Sequence, residues 1–218
     1  MLKELKLFKG LSEVEIEDFL NENNAIVKYY NENEYIFQQG DIPECLYILL
    51  NGVVNVERME ISGKRIIANQ FREDNTIFGE VYLYVEKREY DYSALAVKHS
   101  KVLKIKKEAL EFNEGDKYSR IITNNMLSIL SSKAFYLNQK LLIYSSFSLR
   151  QKLSKFFLLI SENKNSIELK LNREELADFL GVARPSVSRE LMNMQDDGLI
   201  KIEKSKVTLN KEKLEEFL

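Results

Sequence analysis

The chain has 218 residues and a net charge of −2, with 44% hydrophobic and 30% charged residues. That length allows one large or two modest domains with sizeable cores, and the near-neutral balance gives no whole-chain pointer to nucleic acid, so such a partner must be argued from local features. A single cysteine, Cys45, excludes an intrachain disulfide and argues against structural zinc or an iron–sulfur cluster, while the charged N-terminus and the lack of any long apolar run predict a soluble, cytosolic protein with no signal peptide and no membrane span.

Ser12 is placed to cap a short helix over residues 12–22, with Val14, Ile16, Phe19 and Leu20 as its apolar positions. From about Ala25 to Ile105, short runs such as "EYIFQQ", "CLYILL", "VVNVER", "RIIANQF" and "KVLKI" alternate with turn residues. Their spacing predicts an all-β roll or barrel. Asn51-Gly52, between two apolar runs, predicts a hairpin. Cys45 reads as a small buried hydrophobe rather than a redox switch. His99, the only histidine, falls in "VKHSKV", which predicts an exposed hairpin turn and an ordinary surface side chain.

Residues 117–144 contain no Gly or Pro, and their period is helical. Leu127, Leu130, Ala134, Leu137 and Leu141 recur at alternating steps of three and four, a coiled-coil-like seam. Ile122, Met126 and Ile129 make a second stripe on another face. One stripe can pack on the β-domain while the other meets a second copy. Residues 148–161 predict a further amphipathic helix.

The segment "LNREELADFLGVARPSVSRELMNMQDD" is the most informative. Asn172 can cap a helix starting at Arg173, with Glu174 and Glu175 in the first turn, where the helix dipole favours acids. Leu176, Ala177, Phe179 and Leu180 form its buried face, and Gly181 ends it through a left-handed turn. Pro185 suits the first turn of a second helix, because its missing N–H costs nothing there. Val187, Leu191 and Met194 bury one side of that helix, leaving Arg184, Ser186, Ser188 and Arg189 largely on the other. In a helix–turn–helix the second helix offers its N-terminal half to a major groove. Arg can pair with guanine O6 and N7, and Ser with a base or a phosphate. Helix N-termini also bind phosphate directly, and Arg173 is a further DNA-binding candidate. "GLIKIEKSKVTL" predicts two short strands turning around Glu203–Ser205, a wing whose Lys201, Lys204 and Lys206 could meet the DNA backbone.

These residues resemble the Crp–Fnr family of bacterial transcription regulators. "LNREELADFLGVARPSVSREL" looks like that family's helix–turn–helix, and "LYILLNGVVNV" and "IFGEVYLY" look like its β-roll. The resemblance covers nearly the whole chain. It implies an α+β fold: an N-terminal cyclic-nucleotide-binding-like β-roll (a double-stranded β-helix) over 1–116, a dimerisation helix and hinge over 117–146, and a winged helix–turn–helix over 147–218. It further implies a homodimer on palindromic double-stranded DNA, and contact with RNA polymerase if the protein activates. The family's base-contacting positions fall on Arg184, Pro185, Ser188 and Arg189. Pro185 stands where one branch has glutamate and offers no acceptor for cytosine N4, so that branch's half-site does not transfer. A guanine read by Arg189 is the expectation.

Cyclic-nucleotide-binding members hold the phosphate with an Arg and a Ser that follow Phe-Gly-Glu. Gly79 and Glu80 are present here, but Tyr90 and Asp91 stand at the Arg and Ser positions. A carboxylate facing a phosphate repels it, and the planar Arg fork is lost. A local slip would bring Arg88 into place; otherwise the loop is scaffold, with Glu80 free or paired to a Lys. Tyr82, Tyr84, Tyr90 and Tyr92 could line an aromatic pocket or pack at strand edges. No cofactor is expected: cyclic AMP lacks its grip, an iron–sulfur cluster lacks cysteines, and haem lacks a suitable histidine. A lone histidine and the absence of Walker or Rossmann glycine patterns argue against an enzyme and leave no catalytic or metal-binding residues to name.

Overall fold

Ser12 caps the first helix, α1 (Glu13–Glu22), in a reciprocal capping box with Glu15. The Glu15 backbone N–H donates to Ser12 Oγ at 3.3 Å, and the Ser12 N–H donates to Glu15 Oε2 at 2.8 Å. This is how two of the orphan donors at a helix start are satisfied. The computed structural model describes residues 2–60, 63, 65–85, 89–162, 164–169 and 171–218. Arg88, one of the effector-loop candidates, lies outside the described residues. The chain divides into two units, one ending at Ser131 and one starting at Ser132.

The first unit is a β-roll. Its strands are β1 (Ile26–Tyr30), β2 (Tyr35–Phe37), β3 (Cys45–Asn51), β4 (Val54–Met59), β5 (Arg65–Phe71), β6 (Thr76–Phe78), β7 (Ser93–Ala96) and β8 (Ser100–Lys106). They form two antiparallel four-stranded sheets, ordered β1-β8-β3-β6 and β2-β7-β4-β5. A short helix, α2 (Glu80–Tyr84), follows β6. Strand β3 explains why its sequence is a continuous apolar run: both its faces are covered. Tyr47 and Leu49 enter the roll's interior with Tyr30, Phe37, Phe78 and Tyr90. Leu46, Ile48 and Leu50 enter a second core with Phe8, Ile16 and Phe19 from the N-terminal segment.

Two turns differ from expectation. Asn51-Gly52 does not close a hairpin, because β3 and β4 lie in different sheets. Gly52 instead carries the chain across, at φ 117, pressed so close to β8 that a Cβ would lie 2.3 Å from Ser100 Oγ. A local turn signal cannot distinguish these outcomes, since both need a positive φ. Likewise His99 is exposed, but it sits in a crossover between β7 and β8, which belong to different sheets, and not in a hairpin.

The long helix, α3 (Ser119–Tyr144), separates its two stripes. Ile122, Met126 and Ile129 are buried in the second core of the first unit. Leu127, Leu137 and Leu141 are 57%, 62% and 64% exposed, Ala134 is exposed, and Leu130 is half-buried.

The second unit contains α4 (Leu149–Ser161), β9 (Ser166–Glu168), α5 (Arg173–Leu180), α6 (Arg184–Asp196), β10 (Ile200–Glu203), β11 (Lys206–Leu209) and α7 (Lys211–Glu215). Its sheet runs β10-β11-β9, all antiparallel. Leu153, Phe157, Leu176, Leu180, Val187 and Leu191 share one core with residues of the sheet. The tight turn between β10 and β11 puts Lys204 at φ 58. This is the expected wing.

Candidate nucleic-acid interface and the β-roll interior

The helix pair of the second unit is built by local rules. Asn172 Oδ1 accepts from the Glu174 and Glu175 N–H groups at 2.9 and 3.0 Å, and Glu175 Oε2 accepts the Asn172 N–H at 2.9 Å. Gly181 closes α5 in the left-handed region at φ 66. A Cβ there would also lie 3.1 Å from the Tyr144 ring, so glycine is required on two counts. Pro185 lies in the first turn of α6, where no backbone donor is lost.

Burial of Val187, Leu191 and Met194 fixes which side of α6 faces outward. Arg184, Pro185, Ser186 and Arg189 are exposed, while Ser188 is half-buried. Among the described residues, neither Arg184 nor Arg189 makes a salt bridge or hydrogen bond. Arg173 differs: it is half-buried, its Nη1 has no hydrogen-bond partner, and burial lowers its pKa. It lines a cleft with Leu171, Asn172, Ile202, Lys204 and Ser205. In the wing, Lys201 Nζ lies 2.7 Å from Glu203 Oε1. The pair raises the lysine's pKa and lowers the glutamate's, hydrogen bonding being the main cause. Lys204 and Lys206 are exposed with no ion pair among the described residues.

The interior of the β-roll is the opposite kind of place. Gly79 opens α2 at φ 80, and a Cβ there would meet the Tyr47 ring at 3.0 Å. Glu80 is buried in the first turn of α2 and is not free. Tyr90 is only 2% exposed. Its ring stacks on Phe37 with centroids 3.9 Å apart and meets Tyr82 edge-on at 4.9 Å. Tyr47 stacks on Phe78 at 5.4 Å and packs on Phe37 at 5.3 Å. Backbone bonds pin the segment: Tyr90 N–H donates to Asp41 O and Gly40 N–H donates to Tyr90 O, each at 2.9 Å.

The four tyrosines weighed together therefore do not act as a set. Tyr90 and Tyr82 pack within the roll, Tyr92 is half-buried, and Tyr84 is 48% exposed. Alternation along the strands hid this, because Tyr90 precedes β7 and reaches Phe37, which lies 53 positions earlier, only through the fold. Burial raises the phenol pKa values of Tyr47 and Tyr90, and pushes Tyr30 up to about 12. Asp91 is half-buried and has a partner. Cys45 is half-buried against these aromatics, and burial raises its thiol pKa, the reverse of an activated thiolate.

Sequence reasoning missed one feature of the second unit. Arg150 of α4 lies 2.5 Å from Glu190 and 2.6 Å from Asp197. The partners are 40 and 47 residues away, so no local pattern announces them.

A β-roll followed by a winged helix–turn–helix defines a class of DNA-binding regulator, and comparison with known proteins agrees. A model of the cyclic nucleotide-binding domain matches residues 27–112, and one of the Crp-like helix-turn-helix domain matches residues 151–217. The chain belongs to the Crp–Fnr family of transcription regulators. The global nitrogen regulator of Nostoc sp. is 27% identical over 194 residues, covering 85% of this chain and 86% of the relative. The solved catabolite activator protein of Thermus thermophilus is 24% identical with a TM-score of 0.52, covering 97% of each chain. The c-di-GMP-responsive regulator CLP of Xanthomonas campestris is 20% identical with a TM-score of 0.59, covering 91% of this chain and 99% of that one. These two structures share the fold.

Proposed function

We propose that this Crp–Fnr regulator acts as a homodimer on palindromic double-stranded DNA, reading sequence through α6, and that it does not respond to cyclic AMP. The observation that carries the reading is the outer face of α6, where Arg184 and Arg189 are exposed and unpaired at the start of a well-braced helix. An unpaired guanidinium keeps its fork for a base edge or a phosphate. Arg189 reads a guanine, Ser186 and Ser188 contact base or phosphate, and Pro185 contributes shape alone. Arg173, Lys204 and Lys206 meet the DNA backbone, while Lys201 first has to leave Glu203.

Dimerisation uses the open stripe of α3. Leucines at 127, 137 and 141, each more than half exposed, are costly in water and suited to a seam with a second copy. The β-roll (1–116), the helix and hinge (117–146) and the winged helix–turn–helix (147–218) then serve as sensing, pairing and reading segments. The protein works in the cytoplasm, and contacts RNA polymerase if it activates.

The case against cyclic AMP rests on Tyr90, which stands in the sequence where the resemblance puts the family's phosphate-binding Arg, and whose ring is buried against Phe37. The aromatic packing around Tyr90 favours a second reading, a regulator with no small-molecule input that is controlled by its abundance. A nucleotide response through Arg88 is the remaining alternative, and saturable micromolar binding of cyclic AMP in titration calorimetry is the result that supports it. The direct test of the DNA reading is Arg189→Ala. It is expected to weaken the cognate site by roughly 1–3 kcal/mol and to relax one base position. Unchanged binding to both specific and nonspecific duplexes contradicts the role given to Arg189.

A further inference from the structure

The two halves of α6 treat charge differently. Its N-terminal half leaves Arg184 and Arg189 unpaired, whereas its C-terminal half is tied to α4 through Arg150. Arg150 Nε donates to Glu190 Oε1 at 2.5 Å and Nη1 donates to Asp197 Oδ2 at 2.6 Å. The Phe217 ring lies 5.6 Å from its guanidinium carbon. The Arg150 and Glu190 side chains are 25% and 19% exposed and that of Asp197 is 50% exposed, so the Glu190 pair is partly sequestered while the Asp197 pair lies at the surface.

We propose that Arg150 is a positioning residue for DNA recognition: it fixes the axial and rotational setting of α6, and thereby where Arg189 meets a base. The proposal rests on the reading of α6 as the DNA-facing helix. The geometry supports it in two ways. Glu190 and Asp197 are two helical turns apart and so lie along one side of α6, at Cα positions roughly 10 Å apart along its axis. One planar guanidinium holding both opposes a slide along the axis and a roll about it, because either motion lengthens one of the bonds. Apolar burial of Val187, Leu191 and Met194 is less directional and leaves such small motions cheaper.

The charges also need Arg150. Asp196 and Asp197 lie at the C-terminal end of α6, where the helix dipole disfavours anions. Lys213 Nζ donates to the Asp197 carbonyl at 2.9 Å, and Arg150 neutralises the Asp197 carboxylate. Glu190 follows Arg189 in the chain, and among the described residues its side chain accepts otherwise only from Asn193 Nδ2 at 3.3 Å. Unneutralised, that carboxylate adds a negative charge to α6 that repels DNA phosphate. Lysine cannot substitute fully, since a single ammonium lacks the two-pronged geometry.

The test uses the full chain and a cognate duplex selected from a pool with a randomised centre. Parent, Arg150→Lys, Arg189→Ala and the double variant are titrated against that duplex and a scrambled one at fixed salt, with thermal melting as control. Arg150→Lys is expected to keep its nonspecific affinity, to lose about tenfold at the cognate duplex, and to weaken the base preference assigned to Arg189. In the Arg189→Ala background the same change should cost less than about twofold, because the residue acts through Arg189. Full additivity of the two losses, or cognate affinity and base preference equal to the parent's, overturns the proposal. Should Arg150→Lys fail to fold, Glu190→Gln, which keeps an acceptor and loses the ion pair, is read by the same criteria. A parent chain that selects no sequence instead refutes the reading of α6 itself.

Discussion

The interior of the β-roll and the outer face of α6 are the two candidate sites of the molecule, and they are built in opposite ways. In the roll, the rings of Tyr90, Phe37, Tyr47 and Phe78 pack on one another, and the Tyr90 and Tyr30 hydroxyls are enclosed without a hydrogen-bond partner among the described residues. On α6, hydrophobic residues and Arg150 satisfy the inner and C-terminal parts, so that Arg184 and Arg189 are left with nothing to bind. The lesson is that a family loop can persist while aromatic side chains of the chain itself pack against it, and that exposed, unpaired groups such as Arg184 and Arg189 are the ones to test for a partner.

The closed side of this comparison breaks most visibly at Tyr90. Tyr90→Ala removes a fully packed ring and should cost about 3–5 kcal/mol in denaturant unfolding, with no gain of cyclic AMP binding. A cost below about 1 kcal/mol would mean that the ring is not packed as described. On the proposed reading, the open side works by pairing two copies of α6. Leu137→Glu with Leu141→Glu should convert a dimer to a monomer in sedimentation, and weaken a palindromic duplex on the order of a hundredfold while leaving the melting of each unit little changed. A dimer that survives both charges shows that the seam lies elsewhere.

Smaller effects sharpen the contrast. Asn172→Ala removes the cap that braces α5 beneath the reading helix, and should cost about 1 kcal/mol of stability. Loss comparable to Tyr90→Ala would give the cap a larger role than a helix start usually has. The smallest signal is alkaline. Burial disfavours the Tyr30 phenolate and holds its pKa near 12, above an unfolded value of about 10. Its contribution to stability is therefore complete below about pH 10 and is lost as the pH rises through 12. Ultraviolet titration should find a phenol that ionises late, and uniform ionisation near pH 10 would contradict its burial.

Much of this was legible in the sequence where the signal is local. Ser12-x-x-Glu15 and Asn172-x-x-Glu175 announce capped helices, Gly181 and Pro185 mark the turn between α5 and α6, and the two stripes of α3 separate as their spacing implies. What depends on distant pairing was not legible. Asn51-Gly52 carries the same turn chemistry whether it closes a hairpin or crosses between sheets, and its close approach to Ser100 on β8 exists only in the folded chain. The place of Tyr90 is set by Phe37, and that of Arg150 by Glu190 and Asp197. Side chains that meet across dozens of residues leave no period to read.

The account is tested most directly by selecting duplexes from a randomised pool with the purified protein, in parallel without and with cyclic AMP. It predicts enrichment of one two-fold symmetric sequence, the same in both arms and to the same degree. Enrichment that requires cyclic AMP, or no enrichment in either arm, would contradict it.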